Sequence, residues 1–183
     1  MSRDTGEPAE ATSLGSITAR DGALLRALRL RALHEHPEAF AVSHDEEAAK
    51  PESFWDERAA SGVASDNGVT IVARRDGALV AMSTLVRNGL AKMRHGAGLF
   101  AVYVAPEARS ARLGDRVVGA CLAHSDAIGI DVVRLSVATS NAAAIRLYLR
   151  CGFRVYGVES KTLVVDGAFV DELLMERHRP AAR

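Results

Sequence analysis

The chain has 183 residues, 48% of them apolar and 25% charged, and its 23 Lys and Arg balance its 23 Asp and Glu. That length suits one domain with a full core, and zero net charge argues against a bulk electrostatic binder of nucleic acid or membrane surfaces. Two cysteines, Cys121 and Cys151, lack metal-ligand spacing and are expected to be reduced, packed thiols. No metal site is expected from them or from the scattered histidines. No apolar run approaches the roughly 18 residues of a membrane span, and no apolar leader stands at the N-terminus, so a cytoplasmic protein is expected.

In chain order, residues 1–15 are polar and read as a flexible lead-in. A single domain is expected over 16–177, with 178–183 as a tail. Ser16 to Arg20 reads as a short strand. Asp21 is placed to cap a helix over Ala23 to Leu33, whose Leu24, Leu25, Leu28, Ala32 and Leu33 form an apolar stripe. Pro37 ends it. Glu38 to Ala49 reads as a loop with an acidic cluster around His44, Glu46 and Glu47. Pro51 suits the first turn of a second helix that carries Phe54 and Trp55.

Val69 to Ala73 and Ala78 to Val86 read as strands joined by Asp76-Gly77, a two-residue hairpin signal. Asn88 to His95 is a basic connection to a strand over Leu99 to Val104. Pro106 breaks that strand, and a basic loop opens a helix from Arg112 or Leu113. Val132 to Val137 is a short buried strand. Asn141 caps a helix with Ala144, Leu147, Tyr148 and Cys151 at helical spacing, closed by Gly152. Phe153 to Val165 and Ala168 to Glu176 form a second hairpin around Asp166-Gly167. The order predicts an α/β protein with a mixed sheet flanked by helices rather than a doubly wound one.

The chain is organised around Leu99 to Gly114. A strand feeding a helix N-terminus through a basic loop makes an anion cradle, because the first helical amides have no internal partners and the dipole adds positive charge there. Arg109 and Arg112 add full charges, and pyrophosphate is the natural guest. The Walker loop and the three-glycine dinucleotide fingerprint are both absent.

What the segment resembles is the acyl-CoA signature of the GNAT superfamily of N-acetyltransferases, Arg/Gln-x-x-Gly-x-Gly/Ala after a strand ending in Val-x-Pro. Here it reads Arg109-Ser110-Ala111-Arg112-Leu113-Gly114, with Arg112 in place of the first glycine. Leu135, Val137, Asn141, Ala144, Leu147, Tyr148, Gly152 and Phe153 match a later block of the superfamily in the right order. The resemblance covers Val69 to Glu176. It implies a sheet of about six or seven strands with about four helices, in which two parallel strands splay apart to form a slot for the acyl-CoA arm.

It also implies acetyl-CoA as the acyl donor. Backbone groups of Val102, Tyr103 and Val104 would hold the acyl group and pantetheine. Those from Arg109, Ser110, Ala111, Arg112, Leu113, Gly114 and Asp115 would hold the pyrophosphate, with the Asp115 carboxylate facing away. Asn141 would touch the cofactor as well as cap its helix. Tyr148 is the catalytic candidate, a phenol that stays protonated at neutral pH and donates to the departing thiolate.

An acceptor ammonium of pKa about 10.4 must lose a proton before it attacks. Glu46, Glu47, His44 and His95 are the side chains weighed for that task, beside water. The reading is transfer of an acetyl group to a primary amine of a small molecule, in a ternary complex. Two alternatives stand beside it: a protein lysine or N-terminal amine acceptor, and a module that binds acyl-CoA or a partner without transfer. No nucleic-acid or membrane partner is expected, and a homodimer is compatible.

Overall fold

A computed structural model describes residues 12–109 and 112–180. Ser110 and Ala111 therefore lie outside the described residues. Among the described residues seven strands form one sheet in the order β1-β2-β3-β4-β5-β7-β6. They are β1 (Ser13–Ser16), β2 (Gly68–Arg75), β3 (Ala78–Arg87), β4 (Gly96–Val104), β5 (Val132–Ala138), β6 (Arg154–Val165) and β7 (Ala168–His178). The helices are α1 (Gly22–Glu35), α2 (His44–Ala48), α3 (Glu52–Ser61), α4 (Leu113–Ala127) and α5 (Ala142–Arg150).

Both hairpins turn where Asp-Gly predicts. Asp76 and Gly77 have φ of 50° and 74°, and Asp166 and Gly167 have φ of 49° and 78°. Two consecutive left-handed residues match the twist of the flanking strands, and Asp-Gly adopts that pair at low cost. Gly68 to Ala73 of β2 are all buried, because α1 and α4 both pack on the sheet around β2 and β3. Trp55 of α3 is the largest fully buried side chain, in a continuous core that runs from Ile17 to Met175.

Three local expectations are corrected. The first strand is Ser13–Ser16, paired with β2, rather than Ser16 to Arg20, and residues 1–11 of the expected lead-in lie outside the described residues. Asp21 occupies the N-cap position of α1 without capping it. Its carboxylate instead accepts from the Thr18 N–H at 2.7 Å and from Arg74; burial opposes its charge, but these partners hold its pKa below the ordinary range. The acidic stretch taken as loop contains α2, which Ser43 and Glu46 start through a reciprocal capping box.

β4 and β5 run parallel but share only three register pairs, Gly96 with Val132, Ala97 with Val133 and Gly98 with Arg134. Beyond that point β4 stays with β3 and β5 stays with β7. A bulge accompanies the parting. Between Phe100 and Tyr103, β4 holds one more residue than β3 does between Thr84 and Met82, and Ala101 sits there at φ 53°. Such a bulge bends its strand and increases the local twist, here as β4 leaves β5.

Candidate active site

The parting of β4 from β5 opens a cleft of about 600 Å³ at their C-terminal ends. Backbone groups line one wall. The Ala105 N–H donates to Val80 O at 2.9 Å, so by strand alternation Tyr103 also faces β3. The N–H and C=O groups of Val102 and Val104 then face the slot. Consistent with this, Val104 O accepts from Arg109 Nε at 3.1 Å. A buried strand edge needs partners, and a ligand with amides along its length supplies them.

The opposite wall is the start of α5. Asn141 caps it, its side chain accepting from the Ala144 N–H at 3.1 Å. The head of the cleft is the first turn of α4, where Leu113, Gly114 and Asp115 contribute to the lining and the leading amides of the helix lack internal partners. The Asp115 carboxylate is turned to Arg150 in a two-pronged pair of 2.8 and 2.9 Å. Arg150 holds it well below the usual carboxylate range and ties α4 to α5.

Arg112 immediately precedes α4 at φ 56°, ψ 39°. This is the left-handed conformation that glycine adopts freely and a side chain resists. The resemblance places a glycine at this position, and the backbone keeps the glycine-like shape with arginine in its place. Gly114 matters for packing: a Cβ there would lie 2.5 Å from Leu147 Cδ1. The helix pair approaches at that point, so a side chain on Gly114 meets α5.

Tyr148 is not part of the cleft's lining. It lies on α5 beside Leu147 and one turn beyond Ala144, both of which are, and is 7% exposed with its ring edge-on to Phe153 at 5.8 Å between centroids. Burial pushes its phenol above the ordinary range, with a smaller contribution from Cys151.

The four side chains weighed as acceptor-side base stand elsewhere. Glu46 belongs to the capping box of α2, and His44 is exposed beside Asp45 at 3.1 Å. Glu47 is clamped between Arg29 and Arg58 at 2.8 and 2.7 Å. Burial opposes its charge, yet the two guanidinium bonds win and its pKa lies below the usual carboxylate range. His95 precedes β4 at the paired end, its carbonyl accepting from the Asp131 N–H at 2.7 Å.

The titratable side chains on the cleft wall that sequence reasoning missed are His36 and Glu38, with Arg150. His36 Nε2 lies 3.0 Å from Arg109 Nη2, and its Nδ1 lies 3.5 Å from Glu38 Oε1. Beside them the Tyr103 hydroxyl donates to Glu35 Oε2 at 2.7 Å. Burial and that bond raise the Tyr103 phenol above its ordinary range. Pro37 was a signal only for the end of a helix; nothing local shows that the residues around it turn toward the cleft.

Among the described residues no three His, Cys, Asp or Glu side chains are grouped to hold a metal ion, and no helix is long and apolar enough to cross a membrane. Both cysteines are free thiols, as expected.

The model of the acetyltransferase (GNAT) family matches residues 29–153. A mycothiol acetyltransferase from Sanguibacter keddieii is 31% identical over 135 residues, which are 73% of this chain and 40% of that protein. The chain thus spans about two fifths of the length of this curated relative. Among solved structures, an acetyltransferase of the GNAT family from Streptococcus pneumoniae superposes with a TM-score of 0.83 at 22% identity, covering 92% of this chain and 100% of that one. A phosphinothricin acetyltransferase from Sinorhizobium meliloti, in complex with acetyl-CoA, gives 0.76 at 18% identity, covering 91% and 88%.

Proposed function

Because the chain belongs to the acetyltransferase (GNAT) family, we propose that it moves an acetyl group from acetyl-CoA to a primary amine of a small molecule, directly and within a ternary complex. The observation that carries this reading is the loss of β4–β5 pairing beyond Gly98 and Arg134. It leaves backbone groups of Val102 and Val104 facing a slot whose head is the N-terminus of α4. A diamide arm fits the slot as a substitute strand, and a pyrophosphate fits the helix end. The mycothiol acetyltransferase relative supports a small molecule as acceptor. The cytoplasm, where acetyl-CoA is made and used, is the compartment this reading implies.

The fit assigns roles residue by residue. Slot-facing groups of Val102 and Val104 hold the arm, and Tyr103 supports them from the side bonded to β3. Leu113, Gly114 and Asp115 offer leading amides of α4, while Arg109 and Arg112 add positive charge. Asn141 sets the start of the opposite wall. Ser110 and Ala111, outside the described residues, complete the proposed loop.

Acetyl-CoA supplies an activated acyl group. The amine nitrogen, its ammonium proton first passed to water, forms the new C–N bond as the C–S bond breaks, and the proton it sheds as the amide forms returns to the Tyr148 oxygen or goes to water. An amide N–H from β4 meets the negative charge that develops on the acyl oxygen, an interaction typically worth about 3 kcal/mol when the donor is held in place. The family resemblance assigns the proton, or a strong hydrogen bond, to the leaving sulfur to Tyr148, which stands on α5 next to the lining residue Leu147 and reaches the sulfur only if its hydroxyl turns toward the cleft; burial keeps that phenol protonated.

The test is a melting experiment followed by a thiol-release assay over an amine panel. Acetyl-CoA at about one hundred times its dissociation constant should stabilise the fold by about 2.7 kcal/mol. No shift at millimolar ligand would refute the cleft as the donor site. A shift without thiol release from any amine would leave a binding module instead of an enzyme.

A further inference from the structure

A second cavity, of about 290 Å³, lies between α1, α3 and the strands β2, β3 and β4. Leu25, Met82 and Leu85 give it apolar walls, and Thr70 and Thr84, whose hydroxyls are 3.0 Å apart, give it a polar one. It reaches Phe100 and Ala101, the residues immediately before Val102, where the donor cleft begins. The β4 bulge is therefore the boundary shared by the two spaces.

The charge in its wall is unbalanced. Arg29 and Arg58 both line it, and both bind the single carboxylate of Glu47. Two guanidiniums against one carboxylate leave a net positive charge, and no acidic side chain among the described residues lines the cavity. Arg29 is only 6% exposed, and its Nη1 has no hydrogen-bond partner among the described residues. Its guanidinium stacks 4.5 Å from the ring centre of Phe40, which itself lines the donor cleft. A buried N–H donor on a charged group is costly to leave unmatched. Burial lowers the Arg29 pKa despite the bond to Glu47, so the site favours an added anion.

Resting on the acetyltransfer reading, we propose that this cavity is the acceptor pocket and that the acceptor is an amine which also carries a carboxylate, the class of free amino acids. The planar fork of Arg58, with Arg29 Nη1 behind it, matches a carboxylate. The cavity's size matches a small molecule at the lower end of ligand pockets, which begin at about 300 Å³. The carboxylate at the arginine end directs the amine to the Ala101–Val102 bulge, where the donor's acyl group is proposed to lie.

The experiment compares L-amino acids with their carboxamides and their decarboxylated amines, in thiol release with acetyl-CoA and in melting shifts with CoA present. The acids should exceed both analogues by about tenfold or more in kcat/KM, one tenfold step being about 1.4 kcal/mol. Arg58→Met, at a side chain one third exposed, should abolish the preference while keeping the acetyl-CoA melting shift. Equal rates for acid and carboxamide, or a preference that survives Arg58→Met, would overturn the proposal. If no amine turns over although acetyl-CoA still binds, the transfer reading fails, and the melting shifts decide the pocket alone. A larger shift from acids than from carboxamides then supports it, and equal shifts refute it.

Discussion

Gly98 and Arg134 are the last residues that β4 and β5 hold in register; the next two, Leu99 and Leu135, are paired with Leu85 of β3 and Met175 of β7. That parting converts a continuous sheet into one with an internal edge. Everything proposed for the donor site follows from that edge and from the helix N-terminus at its head.

Tyr148→Phe removes a hydroxyl and keeps the ring that packs on Phe153. As the proton donor to sulfur its loss should lower kcat by about a hundredfold, with the KM for acetyl-CoA within about twofold of the parent. Stopped-flow thiol release checks this, and an unchanged kcat removes the role. Burial raises the phenol's pKa, so the parent's kcat should not fall near pH 10 through ionisation of this group.

Arg112→Gly should stabilise the fold. At φ 56° the arginine adopts a left-handed backbone that costs a side chain about 1–2 kcal/mol, while glycine's extra unfolded freedom returns about 0.5–1 kcal/mol of that. The expected gain is about 0.5–1 kcal/mol, read as a higher urea midpoint at unchanged slope. A lower midpoint would mean that the Arg112 side chain contributes more than its backbone costs.

Gly114→Ala should destabilise by about 1 kcal/mol: its Cβ would fall 2.5 Å from Leu147 Cδ1, so that methyl must be pushed aside, and alanine's better helix propensity returns only part of that cost. Leu147→Ala in the same chain should recover part of that loss, because the opposing methyl groups are gone. A double-mutant cycle in urea measures the coupling, and additive effects would show that the two helices do not meet there.

Cys121 should make the fold sensitive to alkali. Burial pushes its thiol up to about 11 from the ordinary value of 9.0, against weaker lowering by Ser83 and Ile71. A raised folded value means that its stabilising contribution is complete below pH 9.0 and is lost as pH rises toward about 11. The loss amounts to about 2–3 kcal/mol. Cys121→Ala should flatten that part of the stability profile relative to the parent, and parallel profiles over this window would contradict it. The native thiol should also resist alkylating reagents at pH 8.

Where a feature depends on a few neighbouring residues, it was legible in the sequence. Asp76-Gly77 and Asp166-Gly167 form their turns, Asn141 caps its helix, and α4 begins where the loop after Pro106 gives way to an apolar helical stripe. The two residue blocks that carry the family resemblance lie on β4–α4 and β5–α5, the elements that bound the cleft. Local steric preference and hydrogen-bonding chemistry act over a few residues, so the order of the chain is enough to reveal them.

Only the folded chain placed β7 between β5 and β6, because strand order depends on pairing across long stretches of chain. The same holds for Glu47. Its acidic neighbours suggested a solvated loop, yet Arg29, eighteen positions earlier, and Arg58, eleven later, close on it within the protein. The bulge at Ala101 and the place of His36 on the cleft wall are likewise results of packing: β4 pairs with β3 around the bulge, and His36 meets Arg109, contacts between residues far apart in sequence.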